Sequence, residues 1–351
     1  MQIDVQNEIE IEIDTTVTLV CCAVIDETPQ AKTYVFRSED QNPIAFLPGQ
    51  FMNFTFMIDG LQETRCYSLS SSAARGSRVS ITVKKVENGL VSNWLFDRFR
   101  VGDRVIAEGP LGNFTPDFNT PLLLLSAGSG MTPMASMMRT AADLALDADI
   151  TLVHFARSPD EMLFRDELSS WARLLPRAKI VPVATQPKPG SGWVGPYGRL
   201  NAALLAALVP DLRQRNGYIC GPTAFMDMAK AMLLDHGVPT TAIHEESFVT
   251  FNPDEELAAS LPAETAFELE FARSRQTVQC GREMTVLAAA KAAKIPLQTS
   301  CGKGICGTCR VKVSAGTVEM KHNGGIKQRE IDQGWILACC SKPTSNLRID
   351  R

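Results

Sequence analysis

Pro121-Leu122-Leu123-Leu124-Leu125-Ser126-Ala127-Gly128-Ser129-Gly130-Met131-Thr132-Pro133 is where the chain changes rhythm. The four leucines read as a strand. The glycines then turn the chain into a helix whose first N–H groups are left unpaired, and a turn of this kind cradles phosphate. The spacing is Gly-x-Gly-x-Thr-Pro and lacks the third glycine of the full dinucleotide fingerprint. Downstream the rhythm returns. A strand over 150–155 leads to a helix expected over 160–175, a further strand covers 180–184, and Tyr218-Ile219 runs into Cys220-Gly221-Pro222 ahead of a helix over 223–236. Strand and helix in alternation predict a doubly wound α/β domain over residues 119–248.

Upstream, from Thr16 to about Asp117, short runs rich in Val, Ile and Phe are separated by Pro48-Gly49, Asp59-Gly60, Asn88-Gly89 and Gly109-Pro110, with one helical piece over 92–99. Such turn pairs between apolar runs predict an antiparallel β-barrel over residues 15–118. Residues 7–14 read Asn-Glu-Ile-Glu-Ile-Glu-Ile-Asp, and 1–14 are taken as an acidic tail in preference to an edge strand. Residues 249–264 are rich in Pro, Ala, Glu, Asp and Ser and read as a linker. Beyond it a hairpin (267–271 with 277–279), a helix over 284–294 and a strand over 310–313 predict a third, α+β domain over 265–351. A chain of 351 residues with 45% hydrophobic content has room for two or three such cores. Its longest unbroken apolar run, 202–209, is too short to span a bilayer, and Met1-Gln2-Ile3-Asp4 does not begin a signal peptide. A cytoplasmic protein is expected, with no membrane and no nucleic acid as partner.

Among ten cysteines, Cys301, Cys306 and Cys309 cluster, and the adjacent pair Cys339 and Cys340 lies far downstream. Counted to Cys339 the spacing is Cys-x4-Cys-x2-Cys-x29-Cys, which suits four thiolates around a [2Fe-2S] cluster. In Cys301-Gly302-Lys303-Gly304-Ile305-Cys306-Gly307-Thr308-Cys309 the glycines let the backbone pass close to inorganic sulfide. A structural zinc site would show two Cys-x2-Cys pairs instead. The competing readings are therefore a zinc-stapled flavoprotein and a non-enzymatic iron-sulfur sensor. His154, His236, His244 and His322 form no ligand-spaced pair, so no mononuclear iron, Rieske centre or zinc is expected. Charge is uneven: residues 265–351 hold 14 Lys and Arg against 7 Asp and Glu, or +7, which leaves −11 for the rest of a chain whose total is −4.

Arg65-Cys66-Tyr67-Ser68 and Gly89-Leu90-Val91-Ser92, with the glycine turn and the cysteine loop, give the chain a resemblance along nearly its whole length. It resembles the ferredoxin-NAD(P)H reductase family with a C-terminal plant-type ferredoxin domain, whose fold is the β-grasp. Arg65-Cys66-Tyr67-Ser68 is similar to the family's Arg-x-Tyr-Ser flavin motif, in which the arginine neutralises the pyrophosphate, the tyrosine covers the flavin and the Ser68 hydroxyl reaches N5. Gly89, Val91 and Ser92 would form the FAD phosphate site at a helix N-terminus. The resemblance places Gly128, Gly130 and Thr132 at the NAD phosphates, Cys220 with Gly221 and Pro222 beside the nicotinamide, and Glu246 and Phe248 beside the flavin ring. It makes Cys339 the fourth cluster ligand, because the family's last cysteine sits in Leu-x-Cys with a proline four residues on, as in Leu337-Ala338-Cys339 and Pro343. Members that take NADPH place Ser-Arg where this chain has Thr185-Gln186, so NADH is expected, with Arg157 and Arg165 as basic groups toward the adenosine end.

Within the family the chain looks most like reductase components of Rieske oxygenases, of the glycine betaine monooxygenase type. Similar architecture serves hybrid-cluster protein reductases and phenylacetyl-CoA epoxidase reductases. What the resemblance implies is hydride transfer from NADH to FAD, with Ser68, Cys220 and Phe248 at the reacting end. Single electrons then leave through the cluster for a terminal oxygenase or another redox protein.

Overall fold

The computed structural model describes residues 16–248, 266–295, 297, 302, 304–322 and 325–350. The expected acidic tail, the linker and Cys301 lie outside the described residues.

Strands β1 (Thr16–Thr28), β2 (Ala31–Ser38), β3 (Phe51–Ile58), β4 (Leu61–Ser68), β5 (Val79–Lys84) and β6 (Arg104–Leu111) pair antiparallel in the order β4-β3-β6-β1-β2-β5. The two ends of this order meet at one bridge, Leu69 to Ile81, where the Ser70 N–H also donates to the Ser80 carbonyl at 2.7 Å. The sheet therefore closes into the expected barrel. Alternation along β3 sends Met52, Phe54, Phe56 and Ile58 inward, none more than 3% exposed. Phe36, Phe54, Phe56 and Phe99 pack with ring centroids 5.7 to 6.3 Å apart. Each such side chain contributes roughly 1.5–3 kcal/mol on burial. Helix α1 (Leu90–Arg98) adds Val91 and Leu95 to this core. It starts two residues earlier than its sequence pattern suggested, because Gly89 takes the N-cap position.

β7 (Leu122–Ala127), β8 (Ile150–Ala156), β9 (Ala178–Ala184), β10 (Asn216–Cys220) and β11 (Ile243–Glu246) form a parallel sheet in the order β11-β10-β7-β8-β9. The four leucines explain its two-sided cover. Leu122 and Leu124 join a core with Met134 and Met138 of α2 (Met131–Asp143) and Trp171 of α3 (Arg165–Leu174). Leu123 and Leu125 join another, with Leu205 of α4 (Ala202–Leu208) and Met226 and Leu233 of α5 (Thr223–Asp235). The helix expected from 160 is broken: a 3-10 turn at Pro159–Glu161 stops, and α3 begins only after Phe164, whose left-handed φ of 54° cannot continue a right-handed helix. The apolar run 202–209 proves to be α4, capped by Asn201, whose Oδ1 accepts from the Leu204 N–H at 2.9 Å.

In the C-terminal part, β12 (Ala266–Phe271), β13 (Gln276–Gly281), β14 (Arg310–Ala315), β16 (Trp335–Leu337) and β18 (Leu347–Ile349) make a mixed sheet, ordered β13-β12-β18-β14-β16. β15 (Val318–Met320) pairs with β17 (Ser341–Pro343) beside it. One helix, Val286–Ala292, capped by the Thr285 hydroxyl accepting from Ala288 N–H at 3.2 Å, buries Val286, Leu287, Ala289 and Ala290 against Leu337 and Ile349. This is the β-grasp arrangement. Among the described residues no helix is long and apolar enough to cross a membrane.

Candidate functional site at the meeting of three sheets

The strand order of the parallel sheet reverses between β7 and β10, so the crevice for a dinucleotide opens beyond their carboxyl ends. The two loops there touch. A Cβ on Gly130 would fall inside contact distance of the Cys220 carbonyl oxygen and 2.7 Å from Gly221 N, so only glycine fits. Gly128 has a φ of +55°, Thr132 Oγ1 donates to the Ser129 carbonyl at 3.1 Å, and Pro222 takes the N-cap position of α5. At the same edge of the sheet, Gln186 N–H donates to the Arg157 carbonyl at 2.8 Å, which sets Arg157 beside Thr185-Gln186. Arg165 stands at the start of α3, 3.8 Å from Asp160.

Between this edge and the barrel lies a cleft of about 820 Å³, lined by Arg65, Cys66, Tyr67, Ser68, Gly89, Val91, Ser92, Ser129, Thr132 and Phe248. Nine of the eighteen lining residues are site residues singled out from the sequence; Ser129 is among the additions. Tyr67 is braced edge-on by Phe54 at 5.9 Å, and Phe248 is 40% exposed at the rim. Arg65 pairs with Glu63 at 3.0 Å while half-buried, a surface-type pair that a diphosphate can readily displace. Ser92 does not cap α1. Its hydroxyl accepts from Val86 N–H at 3.2 Å and holds the preceding turn, leaving backbone N–H groups to face an anion.

Of the remaining lining residues, Thr82, Lys84, Lys85 and, from the C-terminal domain, Lys291 also escaped the sequence reading. Two lysines after an alternating strand, just before Asn88-Gly89, were the available signal for Lys84 and Lys85. Arg65 and these lysines, the N–H groups of α1 and the Tyr67 ring together suit a molecule with a diphosphate and a flat ring, so the cleft fits FAD.

Cys220 and Glu246 are direct neighbours in the β10–β11 pairing. Ser68 Oγ donates to Glu246 Oε2 at 3.0 Å across 178 residues of chain, joining the barrel to the parallel sheet. Burial raises the Glu246 carboxyl to about 8, opposed by the Ser68 hydrogen bond. Burial also pushes the Cys220 thiol well up, with the nearby Glu246 adding to it. Glu246 lines a second hollow of about 490 Å³ with Phe114, Asp227, His244 and Ile305 of the cysteine loop. Cys220, Gly128, Gly130, Gly221, Pro222 and Arg157 do not line the larger cleft; they form the sheet edge beside it.

Cys306, Cys309 and Cys339 are buried, at 3%, 2% and 4% exposure. Gly304 N–H points at Cys339 Sγ at 3.2 Å, a bond that stabilises thiolate. Cys340 Sγ instead faces the Leu337 carbonyl at 3.7 Å. Gly304 and Gly307 both have left-handed φ; a Cβ on Gly304 would lie 2.7 Å from Cys340 Sγ and one on Gly307 2.9 Å from the Gly325 carbonyl. A loop this tight around buried sulfur fits an iron-sulfur cluster, with Cys301 outside the described residues.

Residues 23–115 match the oxidoreductase FAD-binding domain family, 124–231 the oxidoreductase NAD-binding domain family and 269–344 the 2Fe-2S iron-sulfur cluster binding domain family. The chain is 36% identical over 343 residues to the glycine betaine monooxygenase reductase subunit of Pseudomonas aeruginosa, covering 94% of each. The chain belongs to the ferredoxin-NAD(P)H reductase family with a C-terminal [2Fe-2S] domain. It is 33% identical to the stachydrine N-demethylase reductase subunit of Rhizobium meliloti over 95% of this chain and 96% of that one. Phthalate dioxygenase reductase shares the fold, with a TM-score of 0.61 at 23% identity over 96% of this chain and 98% of that one. This reductase is thus an NAD(P)H-dependent flavin oxidoreductase that uses FAD, a [2Fe-2S] cluster and NADH and works with a redox partner.

Proposed function

We propose that this reductase takes hydride from NADH and supplies single electrons to a Rieske-type terminal oxygenase that demethylates a quaternary ammonium substrate of the glycine betaine class. The carrying observation is the Ser68–Glu246 hydrogen bond, which brings the flavin-motif strand and the nucleotide sheet to one point. The names of the relatives support the substrate class, since glycine betaine and stachydrine are both quaternary ammonium compounds.

Bound FAD supplies the conversion of a two-electron donor into one-electron steps. In the proposed assignment Arg65, Lys84, Lys85 and the backbone at Gly89, Val91 and Ser92 hold its diphosphate, and Tyr67 orients its ring. Glu246, protonated below about pH 8, keeps a neutral carboxyl that accepts from the Ser68 hydroxyl and so holds that side chain in place. Cys220 stays a neutral thiol and shapes the nicotinamide approach, while Phe248 covers the rim and excludes water. Gly128, Gly130 and Thr132 seat the nucleotide phosphates, Gly221 and Pro222 stand with Cys220 at its nicotinamide end, and Arg157 serves its adenosine end. Cys301, Cys306, Cys309 and Cys339 are assigned to the cluster.

The test is reconstitution with purified terminal oxygenases, scoring NADH oxidation that depends on added glycine betaine or stachydrine and yields formaldehyde. Coupling to a hybrid-cluster protein or an epoxidase, with none to a demethylase, would overturn the partner and leave the electron path standing.

A further inference from the structure

Asn53 is an outward residue that is nonetheless buried. Along β3 its outward neighbours Thr55 and Met57 grow steadily more open, and Met57 is 57% exposed, yet Asn53 is 1% exposed. The C-terminal domain reaches it there. Asn53 Nδ2 donates to the backbone carbonyl of Cys306 at 3.0 Å. Its Oδ1 accepts from Cys66 Sγ at 3.1 Å, and Cys66 is its cross-strand partner in the β3–β4 pairing. Few side chains can accept on one side and donate on the other, and a buried amide with both ends engaged sets a single orientation. Cys66 lies between Arg65 and Tyr67 in the flavin cleft, so two hydrogen bonds tie that strand to the cysteine loop. Two separate contacts agree with this docking: Lys291 lines the flavin cleft, and Ile305 lines the hollow beside Glu246.

We propose that Asn53 is a positioning residue that holds the cluster loop against the flavin strand and so sets the rate of internal electron transfer. The inference rests on the reading of Cys306 as a cluster ligand. Asn53 lines no part of the cleft and acts through the Cys306 carbonyl.

Asn53→Leu removes both hydrogen bonds while keeping the branched shape with a somewhat larger side chain, and Asn53→Ala removes them with a smaller one. Iron, sulfide, FAD and NADH-driven bleaching of the cluster are measured first in the parent, so a wrong cluster assignment shows there and not in the comparison. Both variants are expected to keep parental FAD, iron, sulfide and NADH-ferricyanide activity, because that dye draws from the flavin directly. Cluster bleaching after rapid mixing with NADH slows about ten-fold or more, in line with the cost of small misplacements. Amide exchange over residues 305–307 rises in both, and Asn53→Gln, which still donates and accepts, recovers part of the bleaching rate. Parental bleaching rates with unchanged exchange would overturn the proposal. Loss of the cluster or of the fold in both variants would overturn it too, making Asn53 a structural support only.

Discussion

Serine in place of Cys339 is expected to abolish bound iron and acid-labile sulfide, while Cys340→Ser retains both. The reason is local: Cys339 Sγ is the sulfur that receives an N–H from the glycine loop, and Cys340 Sγ faces a carbonyl oxygen, which would repel a thiolate. Retention in the first variant and loss in the second would reverse the assignment. Glu246 gives a second residue-scale test through pH. Its carboxyl is raised from 4.5 to about 8, so the native state holds a proton that the unfolded chain releases. Stability from that proton is complete below about 4.5 and is lost as pH rises through about 8. Against Glu246→Gln, which carries no such proton, the melting temperature of the parent should fall progressively between about pH 5 and about pH 9. A constant difference between the two would mean that Glu246 is ionised in the folded protein.

At the scale of elements, the contact between the β7 and β10 loops separates two glycines of one turn. Gly130→Ala drives a methyl group into the Cys220 carbonyl, a collision with backbone costing about 1–3 kcal/mol and prising the loops apart. Gly128→Ala meets nothing within 4 Å and pays only for its left-handed φ, about 1 kcal/mol. Flavin reduction by NADH should therefore fall much further in the Gly130 variant, with FAD content unchanged in both; equal losses would place the nucleotide elsewhere. β7 itself was legible from its context, since a glycine turn and a helix follow it and the same strand-then-helix rhythm returns downstream. The Arg65–Ser68 strand and the cysteine loop were legible because their chemistry demands particular residues at fixed spacing. α4 was not: seven apolar residues carry no period long enough to tell helix from strand, and the decisive Asn201 cap is one ordinary asparagine. Lys84, Lys85 and Lys291 were hidden for a different reason. A lysine becomes a ligand only when folding turns it toward a cleft, and Lys291 reaches this one from another domain.

For the whole molecule, the +7 of residues 265–351 is partly engaged. Glu319, Glu330, Glu283 and Glu270 pair with Lys321, Arg310, Lys342 and Arg348 inside that segment. These bonds leave its net charge in place, and Lys321 remains 84% exposed. Reversing Lys321, Lys327 and Arg329 to glutamate subtracts two charges at each site and takes the segment from +7 to +1. Reduction of a protein acceptor should weaken and lose much of its salt dependence, because exposed attractions fade beyond a Debye length of about 10 Å at 0.1 M salt. NADH-ferricyanide activity should change less. Unaltered partner reduction and salt response would mean that this face is only solvated surface.

The single bridge from Leu69 to Ile81 has a consequence for how the cofactor and the fold depend on each other. It is a clasp on a hoop, placed one residue past Ser68, and the cleft walls on either side come from the two strands it fastens, Arg65 to Ser68 and Thr82 to Lys84. A molecule seated across both walls splints the clasp from outside. Since a ligand that binds only the fastened form stabilises it by an amount that grows with the logarithm of its free concentration, emptying the cleft loosens the hoop and springing the hoop releases what the cleft holds.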